Sequence, residues 1–335
     1  PRPGRRSASA ASGERGPGDR RRGRPGSADM TAGAEHTAAG TDITVNLDGL
    51  WLLQALLGIT RLAPELRGRP YGQPRSPQWA TRHPGLKVLV DQGICDHTGA
   101  VRADVADRLT VLGAPDVEVI LLIGGGPLTW SAPMLADQPA TWRAIPEQQL
   151  RVVLARRGGR WASAVRAGGA ITLDDCAPAD PQTLARLAGD ALDSLHPVPP
   201  GRFPALTVPL EDMCAAVAAH ARAGSAAAKQ AALQTAGLRG TALSELGAAL
   251  DEPRAEAVLY ARAHVDAGTA VSESVLNLRD SASGRVALYR LCPPRGSRQD
   301  WMTLAPATPA QLCHGVTTVL GSVAVASWDT HERMA

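Results

Sequence analysis

The sequence predicts a single α+β body with a pseudo-twofold internal repeat, built on a central, largely antiparallel sheet flanked by helical bundles. Three observations carry this. The octapeptide APADPQTL at Ala177 returns as APATPAQL at Ala305, and ADVADRLTVLGAPDVEVILL (103–122) returns 138 residues later as TALSELGAALDEPRAEAVLY (241–260). VNLDGLW (45–51) returns as VPLEDMC (208–214). The matches keep the same order in both halves, so one unit occupies about residues 41–200 and a second about 201–331.

Each match predicts local structure. VNLDGLW and VPLEDMC read as a short extended run leading into a helix whose first turn is acidic, through Asp48 in one and Glu211 and Asp212 in the other, as the helix dipole favours. The middle match reads as helix, Pro turn and strand, and its second copy predicts a helix over about 241–250 and a strand over 256–263. RVVLARRG (151–158) and WASAVRAG (161–168) then read as strands around a Gly158-Gly159 turn. ESVLNLRD (273–280) and RVALYRLC (285–292) do the same around Ser283-Gly284. In the octapeptides Asp180 and Thr308 stand where a side chain caps free backbone N–H groups, and Pro181 and Pro309 follow at the first helical position. Leu184, Ala188, Ala191, Leu192 and Leu195 recur at helical spacing behind the first, as do Leu312, Val316, Val319, Leu320 and Val323 behind the second. Helices, then a strand meander, then a closing helix make an α+β unit.

Composition narrows the function. With 44% hydrophobic and 20% charged residues the chain is a soluble globular protein, and its longest largely apolar run, Val117 to Ile123, is far short of the roughly 20 residues that span a membrane. The net charge is +3, but residues 1–29 hold eight Arg against Glu14, Asp19 and Asp29, so the remainder carries −2. That basic stretch has almost nothing to bury and is expected to be disordered, within a Pro/Gly/Arg-rich head over 1–40. It is expected to be a solvated extension upstream of Met30 rather than a nucleic-acid arm, since the rest of the chain is not basic. A chain beginning at Met30 should therefore melt as the full chain does and bind the same partner; a lower melting temperature or affinity would contradict this. The five cysteines show no C-x-x-C spacing, which argues against a zinc site or disulfide framework and places the chain in a reducing cytoplasm.

The sequence lacks a recognisable catalytic motif. Gly124, Gly125 and Gly126 lead into Pro127 without a phosphate-binding fingerprint, and read as the start of a flexible loop. Cys95, Asp96 and His97 are chain neighbours, which seldom converge on one reacting atom, and Asp174, Asp175 and Cys176 read as a solvated turn. The eight histidines have no metal-ligand spacing, so neither cofactor nor metal is expected. An uncharacterised enzyme or ligand-binding α+β protein is the alternative to a binding protein. The stretch from Gly124 to Glu147 carries Leu128, Trp130, Met134, Leu135 and Trp142, with two uses open: anchoring a protein partner or packing back on the domain.

TDITVNLDGLWLLQALLGITRLAPELRGRPY (41–71), HPGLKVLVDQGI (83–94), VLGAPDVEVILL (111–122), LRVVLARRGGRWASAVR (150–166) and GRVALYRLC (284–292) resemble the EspG family of type VII (ESX) secretion proteins of mycobacteria, most of all the member serving the fifth ESX system. The likeness spans about 41–331. It implies a cytosolic, non-enzymatic chaperone that binds PE–PPE heterodimers before export, with the apolar tip of the PPE bundle covered by the central sheet and C-terminal helices. On that basis Leu238, Leu243, Leu246 and Tyr260 in the second half, and Leu128 and Trp130 in the first, are expected to contact the partner. Leu243, Leu246 and Leu250 share one helical face that also suits a core. Leu238, between Gly237 and Arg239-Gly240, is expected to be exposed, so that Leu238→Asp would abolish partner binding without unfolding the chain. Gly124 to Gly126, Trp130 and the Ala-rich AGSAAAKQAALQTAGLRG (223–240) depart from the family pattern.

Overall fold

The structure is a computed structural model and describes residues 42–68, 77–128, 145, 148–266, 268–291 and 299–333. The Arg-rich head, Trp130, Met134, Leu135 and Trp142 lie outside the described residues. In the first unit, β1 (Ile43–Asn46) runs into α1 (Leu47–Leu57), where the Asn46 side chain accepts the Gly49 N–H at 2.7 Å. There follow α2 (Leu86–Asp91), α3 (Ala103–Gly113), β2 (Val117–Gly125), β3 (Gln149–Arg157), β4 (Arg160–Ala167), β5 (Ala170–Asp175) and α4 (Pro181–Leu195). The second unit comprises β6 (Leu206–Pro209), α5 (Leu210–Arg222), α6 (Ala226–Thr235), α7 (Gly240–Asp251), β7 (Ala255–Val265), β8 (Gly268–Val271), β9 (Leu276–Asp280), β10 (Arg285–Leu291), β11 (Trp301–Pro306) and α8 (Pro309–Gly321). Asp180 caps α4 by accepting the Gln182 and Thr183 N–H groups, and Thr308 caps α8 by accepting that of Gln311.

All the strands join one antiparallel sheet in the order β1-β5-β4-β3-β2-β7-β9-β10-β11-β6, with β8 paired to β7. Read from either end the order is the same, once β1 is matched with β6, β5 with β11, β4 with β10, β3 with β9 and β2 with β7. The two units meet where β2 pairs with β7. Leu121 lies opposite Leu259, which is its own counterpart at the 138-residue shift, so the pseudo-twofold axis passes through that pair.

Strand alternation divides the sheet into two faces. Val119, Leu121, Ile123, Ala257, Leu259 and Ala261 face α4 and α8, and with Leu184, Leu192, Val316 and Val319 they form the largest apolar core. The other face is covered at one end by α1–α3, with Leu50, Leu53 and Leu109 meeting Val153 and Ala164, and at the other by α5–α7, with Met213, Leu233 and Leu246 meeting Val286 and Leu304.

Three expectations need correction. Gly124 and Gly125 belong to β2, paired with Glu256 and Ala255, because the ladder supplies partners for their backbone groups whatever their side chains. Asp175 is no simple solvated turn: it lies 2.9 Å from the guanidinium of Arg108, which is buried and needs the carboxylate. Leu238 is not exposed. It is 0% accessible, because Gly237 and Gly240 both take left-handed backbone angles, φ 81° and 54°, and turn the chain so that Leu238 enters the core beneath α5–α7.

Candidate partner-binding face

Between the two helical bundles, the β2 and β7 residues opposite the main core form a small separate cluster: Ile120, Leu122, Val258 and Tyr260. Among the described residues, the partly buried apolar side chains packed against it are Leu128 and Val275. Ile120 lies directly across from Tyr260, and Leu122 across from Val258.

Charged rows border this apolar strip. On one side Glu118 faces Arg262; the Arg262 Nε donates to Glu118 Oε2 at 2.5 Å and its Nη2 to Glu65 Oε2 at 2.7 Å. The Tyr260 hydroxyl donates to Glu65 Oε1 at 2.6 Å, and His264 Nε2 approaches Glu118 Oε2 at 2.8 Å. Burial alone would push the Glu118 carboxyl up, but Arg262 and His264 outweigh it and hold it below the ordinary range. Burial, reinforced by the Glu65 carboxylate, pushes the Tyr260 phenol up, so that group stays a neutral donor. Farther along, Arg151 and Arg166 form a cross-strand pair beneath the turn at Pro64–Leu66, donating to the Glu65 and Leu66 carbonyls respectively. Burial, with Arg67 and Arg166 nearby, brings Arg151 down to about 10. At the other border Gly124 faces Glu256, whose carboxylate accepts the Leu128 N–H at 2.7 Å.

The six residues expected to contact a partner fall in different places. Leu128 is half-buried on the strip, and Tyr260 is 2% accessible within it. Leu238 and Leu246 are 0% accessible and Leu243 is 9%, all three in the core beneath α5–α7. Trp130 lies outside the described residues. Sequence reasoning passed over Glu118 and Arg262, since charges in a strand read as solvent-facing, and Glu65, since a charge in a short Pro-led turn does the same; the signal for Glu118 was its repeat at Glu256.

The two-unit fold and this central face define a family. The EspG family model matches residues 46–318, and the chain belongs to the EspG family. It is 43% identical over 294 residues to the ESX-5 secretion-associated protein EspG5 of Mycobacterium marinum, covering 88% of this chain and 98% of the relative, and 42% identical over the same shares to EspG5 of Mycobacterium tuberculosis. To the ESX-2 secretion-associated protein EspG2 of Mycobacterium tuberculosis it is 32% identical over 163 residues, covering 47% of this chain and 58% of that one. Among solved structures it resembles the Mycobacterium tuberculosis type VII secretion system chaperone EspG5 in complex with a PE25–PPE41 dimer, with a TM-score of 0.77 and 41% identity over 87% of this chain and all of the other.

Proposed function

We propose that this chain is a cytoplasmic, non-enzymatic chaperone of a type VII secretion system that binds a PE–PPE heterodimer and keeps it soluble for export. The observation that supports this most is the likeness, at 41% identity over 87% of this chain and the whole of the other, to an EspG5 chain solved with PE25–PPE41. The surface we assign to the partner centres on half-buried Leu128, which packs over the buried strip of Ile120, Leu122, Val258 and Tyr260, and takes in the outer sides of α5–α7 beside it. There, Leu238, Leu243 and Leu246 act from behind, as the packing that keeps those helices in place. No helix among the described residues is long and apolar enough to cross a membrane.

A binding function also suits the ionisable groups. The carboxyls displaced below their ordinary range are dispersed and each has a structural partner: Asp96 closes a turn onto Thr98 and Ala100, Asp104 meets Arg102, Asp180 caps α4, Asp251 meets Lys229 and His220, and Glu118 meets Arg262 and His264. A catalytic pair would converge on one cleft.

Co-expression with a PE–PPE pair encoded beside the same secretion system tests the reading. The expected result is a stoichiometric three-chain complex on size exclusion, with a PE–PPE dimer that precipitates when this chain is omitted. A folded chain that elutes alone, beside a dimer whose solubility it does not change, would overturn it.

A further inference from the structure

The pseudo-twofold axis makes Glu118 and Glu256 equivalent, yet their carboxylates meet different partners. Rotation about Leu121 and Leu259 carries Arg262 onto Gly124 and His264 onto Gly126. Arg262 and His264 are the two groups that occupy Glu118 Oε2, at 2.5 and 2.8 Å. Their counterparts have no side chain. In that space lies Leu128: its backbone N–H donates to Glu256 Oε2 at 2.7 Å, and its side chain sits so close over Gly124 that a Cβ there would be 2.7 Å from Leu128 Cδ2. Gly126, with φ 87°, turns the chain and donates its N–H to the Arg254 carbonyl at 2.7 Å. Arg279 Nη2 lies 3.1 Å from Glu256 Oε1 as an ion pair on the other side of the carboxylate, outside hydrogen-bond geometry.

We propose that Gly124 and Glu256 form a seat that holds Leu128 as a preformed apolar anchor for the partner, which makes them positioning residues for binding. This rests on the PE–PPE reading above. Three features converge on it. Leu128 is half-buried, so part of its surface stays accessible, and it packs on the same strip as Tyr260 and Val258. Its backbone is tied to β7 in the free chain, so little order is left to impose when the partner arrives. The space it fills exists because the repeat carries glycine at 124, where its counterpart is arginine; any side chain at 124 forces the Leu128 side chain to shift from this position.

The test uses the full chain and, as probe, the Mycobacterium tuberculosis PE25–PPE41 dimer, with affinity read by calorimetry and folding by thermal melts. Gly124→Ala and Leu128→Ala should each weaken binding at least tenfold while melting within a few degrees of the native chain. The double variant should bind no more weakly than Leu128→Ala alone, because Gly124 acts through Leu128. Native affinity in either single variant, or additive losses in the double, would overturn the proposal. Should Gly124→Ala fail to fold, Glu256→Ala takes its place in the same cycle. Amide hydrogen exchange reads the seat without any partner: the Leu128 N–H should be protected in the native chain and exchange freely in Glu256→Ala, and an unprotected amide in the native chain would overturn the seat itself. If the native chain exchanges as expected but does not bind the probe, the PE–PPE reading fails for this probe and the anchoring proposal fails with it, whereas the tether of Leu128 to Glu256 stands.

Discussion

Leu238→Asp should unfold the second helical bundle. The side chain is 0% accessible in a core with Leu233, Leu246 and Val286, and the turn that carries it is held inward by Gly237 and Gly240. Removing a buried leucine costs about 2–5 kcal/mol. A carboxylate left there without a partner adds several more, on the order of the whole 5–15 kcal/mol that holds a domain together. The variant should be insoluble, or soluble without a cooperative melt by circular dichroism. A melting temperature near that of the native chain would show that the turn can swing Leu238 out to solvent. Loss of partner binding in this variant is expected through loss of the fold, so it says nothing about contact with the partner.

Arg262→Ala should destabilise the centre of the sheet by about 3–5 kcal/mol, because it leaves Glu65 and Glu118 buried without the guanidinium that neutralises both. The pH dependence should also change sign. In the native chain the Glu118 carboxyl is held low, so the pair's contribution is fully present above the unfolded glutamate pKa of about 4.3 and is lost as pH falls through the lower folded value. Without Arg262, burial dominates and raises Glu118, so the variant's stability should increase as pH is lowered from neutrality towards 5. Melts in a His264→Gln background keep the neighbouring imidazole out of that window. A variant that melts like the native chain at pH 7, or loses stability on mild acidification, would show that water reaches the two carboxylates.

Local chemistry made much of the architecture legible. Asp180-Pro181 and Thr308-Pro309 start helices because cap and first-turn preferences act within four residues, and the Gly158-Gly159 hairpin follows from two adjacent left-handed positions, φ 53° and 79°. The 138-residue repeat went further and anticipated the pseudo-twofold arrangement, though not that its equivalent strands β2 and β7 pair with each other at the centre. Interactions between distant segments were not legible. Arg108 and Asp175 are 67 residues apart, and Arg262 and Glu65 are 197 apart; nothing beside any of these residues marks it as paired. Leu238 misled because a short stretch broken by glycine resembles an exposed loop, whereas here the glycines supply the bends that bury it. Gly124 and Gly125 misled in the same way: three glycines suggested the end of order, yet the first two continue a strand that a distant partner stabilises.

The pairing at the pseudo-twofold axis also governs how the chain is made. The strand ending at Gly125 has its ladder partner in the one that begins at Ala255, so the first unit leaves the ribosome with a long apolar strand whose outer edge is unsatisfied. At roughly 5–20 residues per second, that edge waits on the order of ten seconds for its complement. Through this interval the nascent protein exposes the pattern of free N–H and carbonyl groups on which unrelated strands aggregate. The chain therefore passes, during its own synthesis, through an interval with a bare strand edge, and a ribosome that stalls between the two strands should yield a half-protein prone to pair with its own kind.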